Sequence, residues 1–238
     1  MTKLPNKTSL AEQKNLLRAE IRRLKKLQLP DDLQAWSAAI CEKVMALPEW
    51  QSARTVLLYA ALPDEVQTLS LQEEALACGK RLLLPVVQGD RLSLRCYTHQ
   101  TPMSKGSFNI DEPQGADFLD YETIDLAIIP AMAYDREGHR LGRGKGYYDR
   151  LLPHLQCPLV GIVYPFQVLE KIPAETWDIP VRRVITIGEK ARFYSAFLAV
   201  FFVVFLAAAA SFFSAVFFSA AGFCAFFNSF SSFSIVFS

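Results

Sequence analysis

The sequence lacks several features that mark common classes of protein. Among its 238 residues, 25 Lys and Arg nearly balance 24 Asp and Glu, so it has no basic excess of the kind that a dedicated nucleic-acid-binding domain shows. Its three His are scattered and none of its five Cys forms a Cys-x-x-Cys pair, which argues against a zinc site. The odd number of Cys and the lack of a secretory signal at the charged start predict reduced thiols in a cytoplasmic protein.

The end of the sequence lacks charge altogether. From Phe193 to Ser238 there is no Asp, Glu, Lys or Arg, and this stretch holds 15 of the 18 Phe. All charged residues therefore lie in residues 1–192, where their share is typical of a soluble globular domain. We divide the chain into a globular body, residues 1–192, and a tail rich in Phe, Ala, Ser and Val, residues 193–238.

Two interpretations of the tail stay open. Residues 193–223 are long and apolar enough to cross a membrane, and four basic residues precede them, as the positive-inside rule expects for a cytoplasmic body. The alternative is a non-native extension without function, because the tail is of low complexity and is dominated by four residue types. In either case we expect a helix over residues 197–210. The basic residues are Arg182, Arg183, Lys190 and Arg192.

The body alternates between helical and strand patterns. Ser9 and Glu12 have the spacing of a capping box, and a second helix is expected from about Asp31 to Pro48. Further helices are predicted at residues 69–78, closed by Gly79, and at residues 147–155. Apolar strands are predicted at residues 55–60, 81–87, 92–97, 126–130, 159–164 and 184–187. Uniformly apolar strands that alternate with helices indicate an α/β sheet with both faces covered.

A glycine-rich basic loop, residues 135–150, follows the strand that ends at Pro130 and precedes a helix. Ligands bind beyond the carboxyl ends of strands in open α/β sheets, and alternating glycines let backbone amides turn toward an anion. Three of the loop's cations lie beside these alternating glycines, so the loop suits a polyphosphate. The spacing of these glycines matches neither the Walker A motif nor the Rossmann fingerprint. The glycines alone are therefore equally consistent with a tight structural turn. The glycines are Gly142, Gly144 and Gly146, and the cations are Arg140, Arg143 and Lys145.

Asp149 is a carboxylate just beyond this basic loop. Beside phosphates, a carboxylate at such a position is a candidate magnesium ligand. The alternative is an acidic residue in the first turn of a helix, where the helix dipole favours it.

The string from Arg140 to Asp149, Arg-Leu-Gly-Arg-Gly-Lys-Gly-Tyr-Tyr-Asp, closely resembles the signature of the 5-formyltetrahydrofolate cyclo-ligases, also called methenyltetrahydrofolate synthetases. Four other segments resemble the family's motifs in the family's order, and together they cover roughly residues 9–190. One departure is Arg182, where the family's closing motif has a second Asp. The four segments are residues 14–18, 62–68, 108–113 and 177–186.

The resemblance implies a single α/β domain with a mostly parallel sheet flanked by helices. It also implies an ATP- and Mg²⁺-dependent cyclisation of 5-formyltetrahydrofolate to 5,10-methenyltetrahydrofolate. In that reaction ATP phosphorylates the formyl oxygen, N10 attacks the activated carbon, and ADP and phosphate are released. Phosphoryl transfer of this kind depends mainly on the positioning of the reactants and on the neutralisation of the phosphate charges.

The resemblance further implies roles for individual residues. Lys145 and Arg143 would be catalytic, and Asp149 and Asp178 would hold Mg²⁺. Folate would contact Ala60, Glu65 and Tyr147, with Phe108 as a further flat surface. The expected ATP-binding residues are Lys14, Arg18, Arg140, Leu141, Gly142, Arg143, Gly144, Lys145, Gly146, Tyr147 and Tyr148.

Several of these residues have alternative interpretations. Lys14 and Arg18 could form a solvated helix face, Glu65 could be an ordinary loop acid, Phe108 could be a core residue, and Asp178 could be a turn residue before Pro180. The basic helix at residues 14–26 also motivates a second function, a non-catalytic nucleotide- or RNA-binding module on the same fold. With a neutral overall charge we expect no nucleic-acid partner, and contact with a membrane only through the tail.

Overall fold

The computed structural model describes residues 9–106 and 110–188. Within these residues the helices are α1 Leu10–Lys25, α2 Pro30–Met45, α3 Pro48–Ser52, α4 Leu69–Ala77 and α5 Tyr147–Leu151. The strands are β1 Thr55–Leu57, β2 Arg81–Gln88, β3 Arg91–Tyr97, β4 Met103–Lys105, β5 Asp111–Pro113, β6 Leu126–Ile129, β7 Ala133–Asp135, β8 Arg140–Leu141, β9 Leu159–Ile162, β10 Val168–Leu169 and β11 Arg183–Ile185.

The main sheet has six strands in the order β11-β9-β6-β1-β2-β3. All neighbours are parallel except β3, which runs antiparallel to β2 at one edge. This arrangement confirms the expected mostly parallel sheet. The chain leaves β1 toward β2 on one side and returns to β6 on the other, so the strand order reverses between β1 and β6. Such a reversal opens a crevice at the carboxyl ends of the two strands.

The centre of the sheet is formed by strands without a polar face. Strands β1, β6 and β9 are buried at every position, as parallel strands covered on both sides must be. Val56 on β1 pairs with Leu82 on β2 and with Leu126 on β6. The buried apolar side chains of these strands are what hold the crevice in place.

Helix α1 begins at the predicted capping box. The Glu12 N–H donates to Ser9 Oγ at 3.2 Å, and Ser9 N–H donates to Glu12 Oε2 at 3.2 Å. Ile21 is buried, and it packs with Met132, Leu141 and Ile172 in a small core cluster. The helix is thereby fixed beside the segment that contains the basic loop.

The structure corrects some of the predicted boundaries. The helix expected to run to residue 155 ends at Leu151 and continues as a 3₁₀ turn, Leu152–His154. Pro153 explains the change, because its ring nitrogen cannot donate the α-helical hydrogen bond. The predicted strand ends at residues 58–60, 130, 163–164 and 186–187 lie outside the observed strands. Helix α2 ends at Met45, and Pro48 opens the short helix α3 instead.

Two small sheets were not predicted. One has the order β10-β7-β8 and the other is the hairpin β4-β5. Their strands are two or three residues long, too short for a periodic pattern to identify. Strand β8 lies inside the stretch that the sequence predicted to be a continuous loop.

The tail, residues 193–238, and Phe108 lie outside the described residues. The expected helix over residues 197–210 and both interpretations of the tail therefore stay predictions. Among the residues that the structure describes, no helix has the length and apolar character needed to cross a bilayer.

Candidate active site

A cavity of about 320 Å³ lies at the crevice where the strand order reverses. Tyr59 and Ala60 follow β1 along one wall, and Pro130 and Ala131 follow β6. The basic loop after β8 and side chains from α1 complete the lining. Its position at the carboxyl ends of parallel strands is the usual place for a ligand in an open α/β sheet.

Nearly all of the predicted site residues in the described part of the chain line this cavity. The exception is Leu141, which is fully buried in the core beside α1. Because successive side chains of a strand point to opposite faces, Arg140 on β8 faces the cavity while Leu141 faces the core. The Leu141 side chain therefore does not line the cavity, and contact between the backbone of Leu141 and ATP stays a prediction. The lining residues are Lys14, Arg18, Ala60, Glu65, Arg140, Gly142, Arg143, Gly144, Lys145, Gly146, Tyr147, Tyr148, Asp149 and Asp178.

The basic loop depends on two glycines in a left-handed conformation. Gly144 has φ +97° and Gly146 has φ +68°, values that strain residues with a side chain. Arg18 on α1 holds the loop from the other side, since its Nε donates to the Gly142 carbonyl at 2.8 Å. Its guanidinium carbon lies 3.7 Å from where a Cβ on Gly144 would be. The Arg18 side chain is thus packed against the loop and is not part of a solvated helix face.

Arg140 is buried in the floor of the cavity, with only 7% of its side chain exposed. It forms an ion pair with Asp149 through Nη2, and its guanidinium lies 5.5 Å from the centre of the Tyr148 ring. Its other terminal nitrogen, Nη1, is buried and has no hydrogen-bond partner within residues 9–106 and 110–188. Buried donors are nearly always paired, so this N–H is available to an anion in the cavity.

Lys145 at the tip of the loop is exposed. Its ammonium group takes part in no hydrogen bond or ion pair with the part of the chain that the structure describes. By contrast, Lys14 pairs with Asp178 at 3.0 Å. Lys145 is therefore a cation of the cavity lining whose charge no side chain of the described residues compensates.

Arg143 faces carboxylates in this structure. Its Nη2 lies 2.5 Å from Asp64 Oδ1 and 3.0 Å from Glu65 Oε1, and its Nε lies 3.2 Å from Glu65 Oε1. Burial raises the pKa of Glu65, and the charge of Arg143 partly opposes that shift. These bonds tie the basic loop to the segment after β1, and Asp64 is a partner that the sequence did not reveal.

Two carboxylates at the edge of the cavity could hold a metal ion. Asp178 Oδ2 accepts from Lys14 and from the Glu175 N–H at 2.9 Å. Burial alone would raise the pKa of Asp178, but these two hydrogen bonds, together with the charges of Lys14 and Arg140, outweigh burial and the pKa is lowered. Asp149 Oδ2 and Asp178 Oδ1 accept no hydrogen bond from the described residues, so each keeps an oxygen for a cation. Ionised carboxylates with a free oxygen fit Mg²⁺.

Flat and apolar side chains line the side of the cavity next to β2. Tyr147 and Tyr148 open helix α5 after the basic loop, and burial, followed by the charge of Glu65, raises the pKa of Tyr148. The Tyr148 hydroxyl therefore stays neutral at physiological pH. An apolar wall of the same cavity is formed by Pro85, Val87, Leu92 and Ile110. A flat heterocycle would bury its faces against such a surface.

Sequence reasoning missed one buried acid of the lining. Glu112 on β5 is only 8% exposed and faces the same cavity. The segment around it resembled a family motif, but the three-residue strand gives no pattern that separates inward from outward side chains.

Comparisons with known proteins agree on one family. The sequence model of the 5-formyltetrahydrofolate cyclo-ligase family matches residues 10–187. The 5-formyltetrahydrofolate cyclo-ligase of Escherichia coli (strain K12) is 33% identical over 175 residues, which cover 70% of this chain and 96% of that relative. The mouse enzyme of the same name, from Mus musculus, is 29% identical over 185 residues, which cover 71% of this chain and 91% of that relative.

Solved structures show the same likeness. The 5,10-methenyltetrahydrofolate synthetase of Aquifex aeolicus, determined by NMR, superposes with a TM-score of 0.66 at 36% identity and covers 73% of this chain and 89% of that one. The 5,10-methenyltetrahydrofolate synthetase of Mycoplasma pneumoniae gives a TM-score of 0.58 at 27% identity, with 73% and 98% covered.

Proposed function

Because the chain belongs to the 5-formyltetrahydrofolate cyclo-ligase family, we propose that it closes 5-formyltetrahydrofolate to 5,10-methenyltetrahydrofolate at the cavity between β1 and β6. The formyl oxygen is a poor leaving group. Transfer of the γ-phosphoryl group of ATP to that oxygen makes it a good one, and N10 then forms the new C–N bond while phosphate departs. The products are the methenyl compound, ADP and phosphate.

The observation that carries the nucleotide half of this proposal is the buried Nη1 of Arg140, which has no hydrogen-bond partner among the described residues. A buried guanidinium donor without a partner is costly unless a ligand supplies the acceptor, and phosphate oxygens suit a guanidinium especially well. Lys145 adds an uncompensated charge at the tip of the same loop. The left-handed Gly144 and Gly146 let the loop backbone come close to the phosphates.

Roles for the remaining loop residues follow from the same contacts. Arg18 holds the Gly142 carbonyl and so keeps the loop in shape. Lys145 would lie nearest to the transferred group. Arg143 is paired with Asp64 and Glu65. To contact the phosphates, it would have to leave one of these carboxylates. If it keeps both ion pairs, its role would be to orient Glu65. Phosphoryl transfer needs this kind of positioning and charge neutralisation more than it needs covalent chemistry.

Asp149 and Asp178 would hold Mg²⁺ through the oxygens that accept no hydrogen bond from the described residues. When bound, the ion would neutralise charge on the phosphates. Against the opposing effect of burial, the ion pair with Lys14 helps to lower the pKa of Asp178, and Asp149 forms an ion pair with Arg140. On the folate side, Ala60, Glu65 and Tyr147 would contact the substrate, and all three line the cavity.

The alternative of a non-catalytic nucleotide- or RNA-binding module is less well supported. Its motivation was the basic face of α1, but Lys14 and Arg18 are engaged inside the cavity with Asp178 and the Gly142 carbonyl. They are thus not displayed to a long polyanion.

The test is a spectrophotometric assay of the full chain. The protein is incubated with 5-formyltetrahydrofolate, ATP and MgCl₂, and the absorbance of the methenyl product is followed while ADP is measured by a coupled reaction. We expect one ADP for each methenyl product, and no product when ATP is omitted. Folded protein that forms no methenyl product would refute the proposed function.

A further inference from the structure

Glu112 is a buried carboxylate of the cavity that the steps above do not use. It lies on β5 of the hairpin β4-β5, with 8% of its surface exposed, and it lines the cavity beside the apolar wall. We propose that Glu112 binds the N–H donors on the edge of the pterin ring and so determines the specificity of the site for folate. This inference rests on the proposed function, since it names a further contact for the same substrate.

No charged group among the residues that the structure describes compensates the carboxylate of Glu112. Oε1 accepts a single hydrogen bond, from the Val87 N–H at 3.3 Å, and Oε2 accepts none from the residues that the structure describes. No Lys, Arg or His within residues 9–106 and 110–188 forms an ion pair with it. Burying a carboxylate without partners costs free energy, so a position of this kind is retained where a ligand supplies the missing donors.

Glu65, the acid that the sequence resemblance assigns to the folate, has more hydrogen-bond partners than Glu112. Its Oε1 accepts two N–H bonds from Arg143, and its Oε2 accepts the Leu62 N–H at 3.1 Å. Each oxygen of Glu65 thus accepts at least one hydrogen bond from the protein, and Arg143 compensates its charge. Of the two buried acids that line the cavity, Glu112 is the one with an oxygen that accepts no hydrogen bond from the described residues.

The backbone beside Glu112 leaves room for the carboxylate. A Cβ on Gly106 would lie 2.1 Å from both Cδ and Oε2 of Glu112, so a side chain at residue 106 would displace the carboxylate. The Gly106 N–H donates to the Ile110 carbonyl at 2.8 Å across the hairpin, which fixes this position. The space that holds the carboxylate therefore exists only because residue 106 is glycine.

The chemistry of the pterin matches this arrangement. Its ring is flat and can lie against Pro85, Val87 and Leu92, while one edge carries an amino group next to a ring N–H. A carboxylate accepts two such parallel N–H bonds in bidentate fashion. Phosphates offer only acceptors, so an anionic Glu112 would repel the nucleotide and favour folate on this side of the cavity.

The experiment compares three variants of the full chain with the unsubstituted protein. Glu112→Gln keeps the shape and removes the charge, and Gly106→Ala displaces the carboxylate without changing it. Asp111→Asn is the matched control, because Asp111 is the neighbouring exposed acid and pairs with Lys105 at 2.8 Å on the outside of the hairpin. Binding of 5-formyltetrahydrofolate is measured by calorimetry, the KM values for folate and ATP by the methenyl assay, and folding by thermal unfolding.

We expect Glu112→Gln to weaken folate binding about 10- to 100-fold, the usual effect of losing a charge-assisted hydrogen bond, and to leave the KM for ATP within about two-fold. Gly106→Ala should weaken folate binding in the same direction, and Asp111→Asn should not. Because Glu112→Gln removes an uncompensated charge, the thermal midpoint of unfolding should stay unchanged or rise. If Glu112 instead stabilised the fold, its replacement would lower the midpoint.

The inference is overturned if Glu112→Gln binds folate as well as the unsubstituted protein, if Asp111→Asn weakens binding equally, or if the KM for ATP rises as much as that for folate. These outcomes differ from failure of the proposed function. Folate binding that depends on Glu112 without methenyl product would refute the reaction alone, and a lack of folate binding by the unsubstituted protein would refute both.

Discussion

Asp135, at the end of β7, offers a test of how the basic loop is positioned. Its carboxylate is buried and accepts four N–H bonds. Oδ1 receives the Glu137 and His139 amides at 3.0 and 2.8 Å, and Oδ2 receives the Ile172 amide at 3.1 Å and His139 Nδ1 at 3.0 Å. The turn that these bonds hold leads directly into Arg140. Asp135, Glu137 and His139 also bring potential metal ligands within 4.8 Å of one another, but the four N–H bonds already account for the buried carboxylate.

The substitution Asp135→Asn should destabilise the protein by about 2–4 kcal/mol. An Asn retains one acceptor oxygen, and its best orientation keeps that oxygen toward the Glu137 and His139 amides. The amide nitrogen then faces the Ile172 N–H, which loses its acceptor at a cost of about 1–3 kcal/mol. The ring of His139 can adapt by changing its tautomer. The two remaining bonds become neutral and lose roughly half of their strength, which adds about 1 kcal/mol.

The effect should depend on pH in a defined direction. Burial would raise the pKa of Asp135, but hydrogen bonds from the Ile172 and His139 amides and from the His139 ring outweigh it, so the pKa is lowered. A carboxyl with a lowered folded pKa contributes stability above its unfolded pKa of about 3.9. That stability disappears as the pH falls through the lower folded value. The difference between the two proteins should therefore be complete at pH 7 and should shrink below about pH 4.

Urea unfolding of the full chain, followed by the fluorescence of the buried Trp36 and Trp50, measures this difference. Glu137→Gln is the matched control in the same turn, since its side chain is 71% exposed and the substitution should change the free energy of unfolding by less than about 0.5 kcal/mol. Because the turn leads to Arg140, Asp135→Asn should also raise the KM for ATP. The reasoning would be refuted if Asp135→Asn lowered the free energy of unfolding by less than about 0.5 kcal/mol at pH 7. It would also be refuted if the difference between the two proteins did not shrink below about pH 4.

Three further predictions concern the loop, the metal and the core. Lys145→Ala should reduce kcat more than about 100-fold with little change in folate binding by calorimetry, while Lys171→Ala, an exposed lysine outside the cavity, should retain full activity. Asp149→Ala should raise the Mg²⁺ concentration needed for half-maximal turnover about ten-fold or more, and an unchanged Mg²⁺ titration would remove Asp149 from the metal site. Gly161→Ala should lower stability by about 1–3 kcal/mol in urea unfolding, because a Cβ there would lie 2.5 Å from the Tyr134 ring.

Much of the fold could be predicted because its central elements carry strong local signals. The capping box at Ser9 and Glu12 starts α1 as expected, and the apolar runs around Val56, Leu126 and Val160 form the buried parallel strands. The hairpin β4-β5 and the strand β8 escaped prediction because two or three residues do not show a period. Pro153 shortened α5 by removing one backbone donor.

The composition of the site was predictable to a similar degree. The residues that resemble the family's motif from Arg140 to Asp149 do surround one cavity, together with Lys14 and Arg18 from a helix more than a hundred residues earlier. Leu141 was assigned to the site from its place in the motif, but the alternation of β8 turns it into the core. A linear motif does not distinguish these two cases, because the direction of a side chain depends on which strand pairs with β8.

The sequence by itself determined the class of fold, the family and the chemical character of the loop, because these depend on residue types and their order along the chain. Only the tertiary structure decided which charges remain available for a ligand. It pairs Arg143 with Asp64 and Glu65 and Lys14 with Asp178, and it leaves Arg140 Nη1, Lys145 and Glu112 Oε2 without partners among the described residues. Pairing between side chains far apart in sequence depends on distances that only the folded sheet and its loops establish.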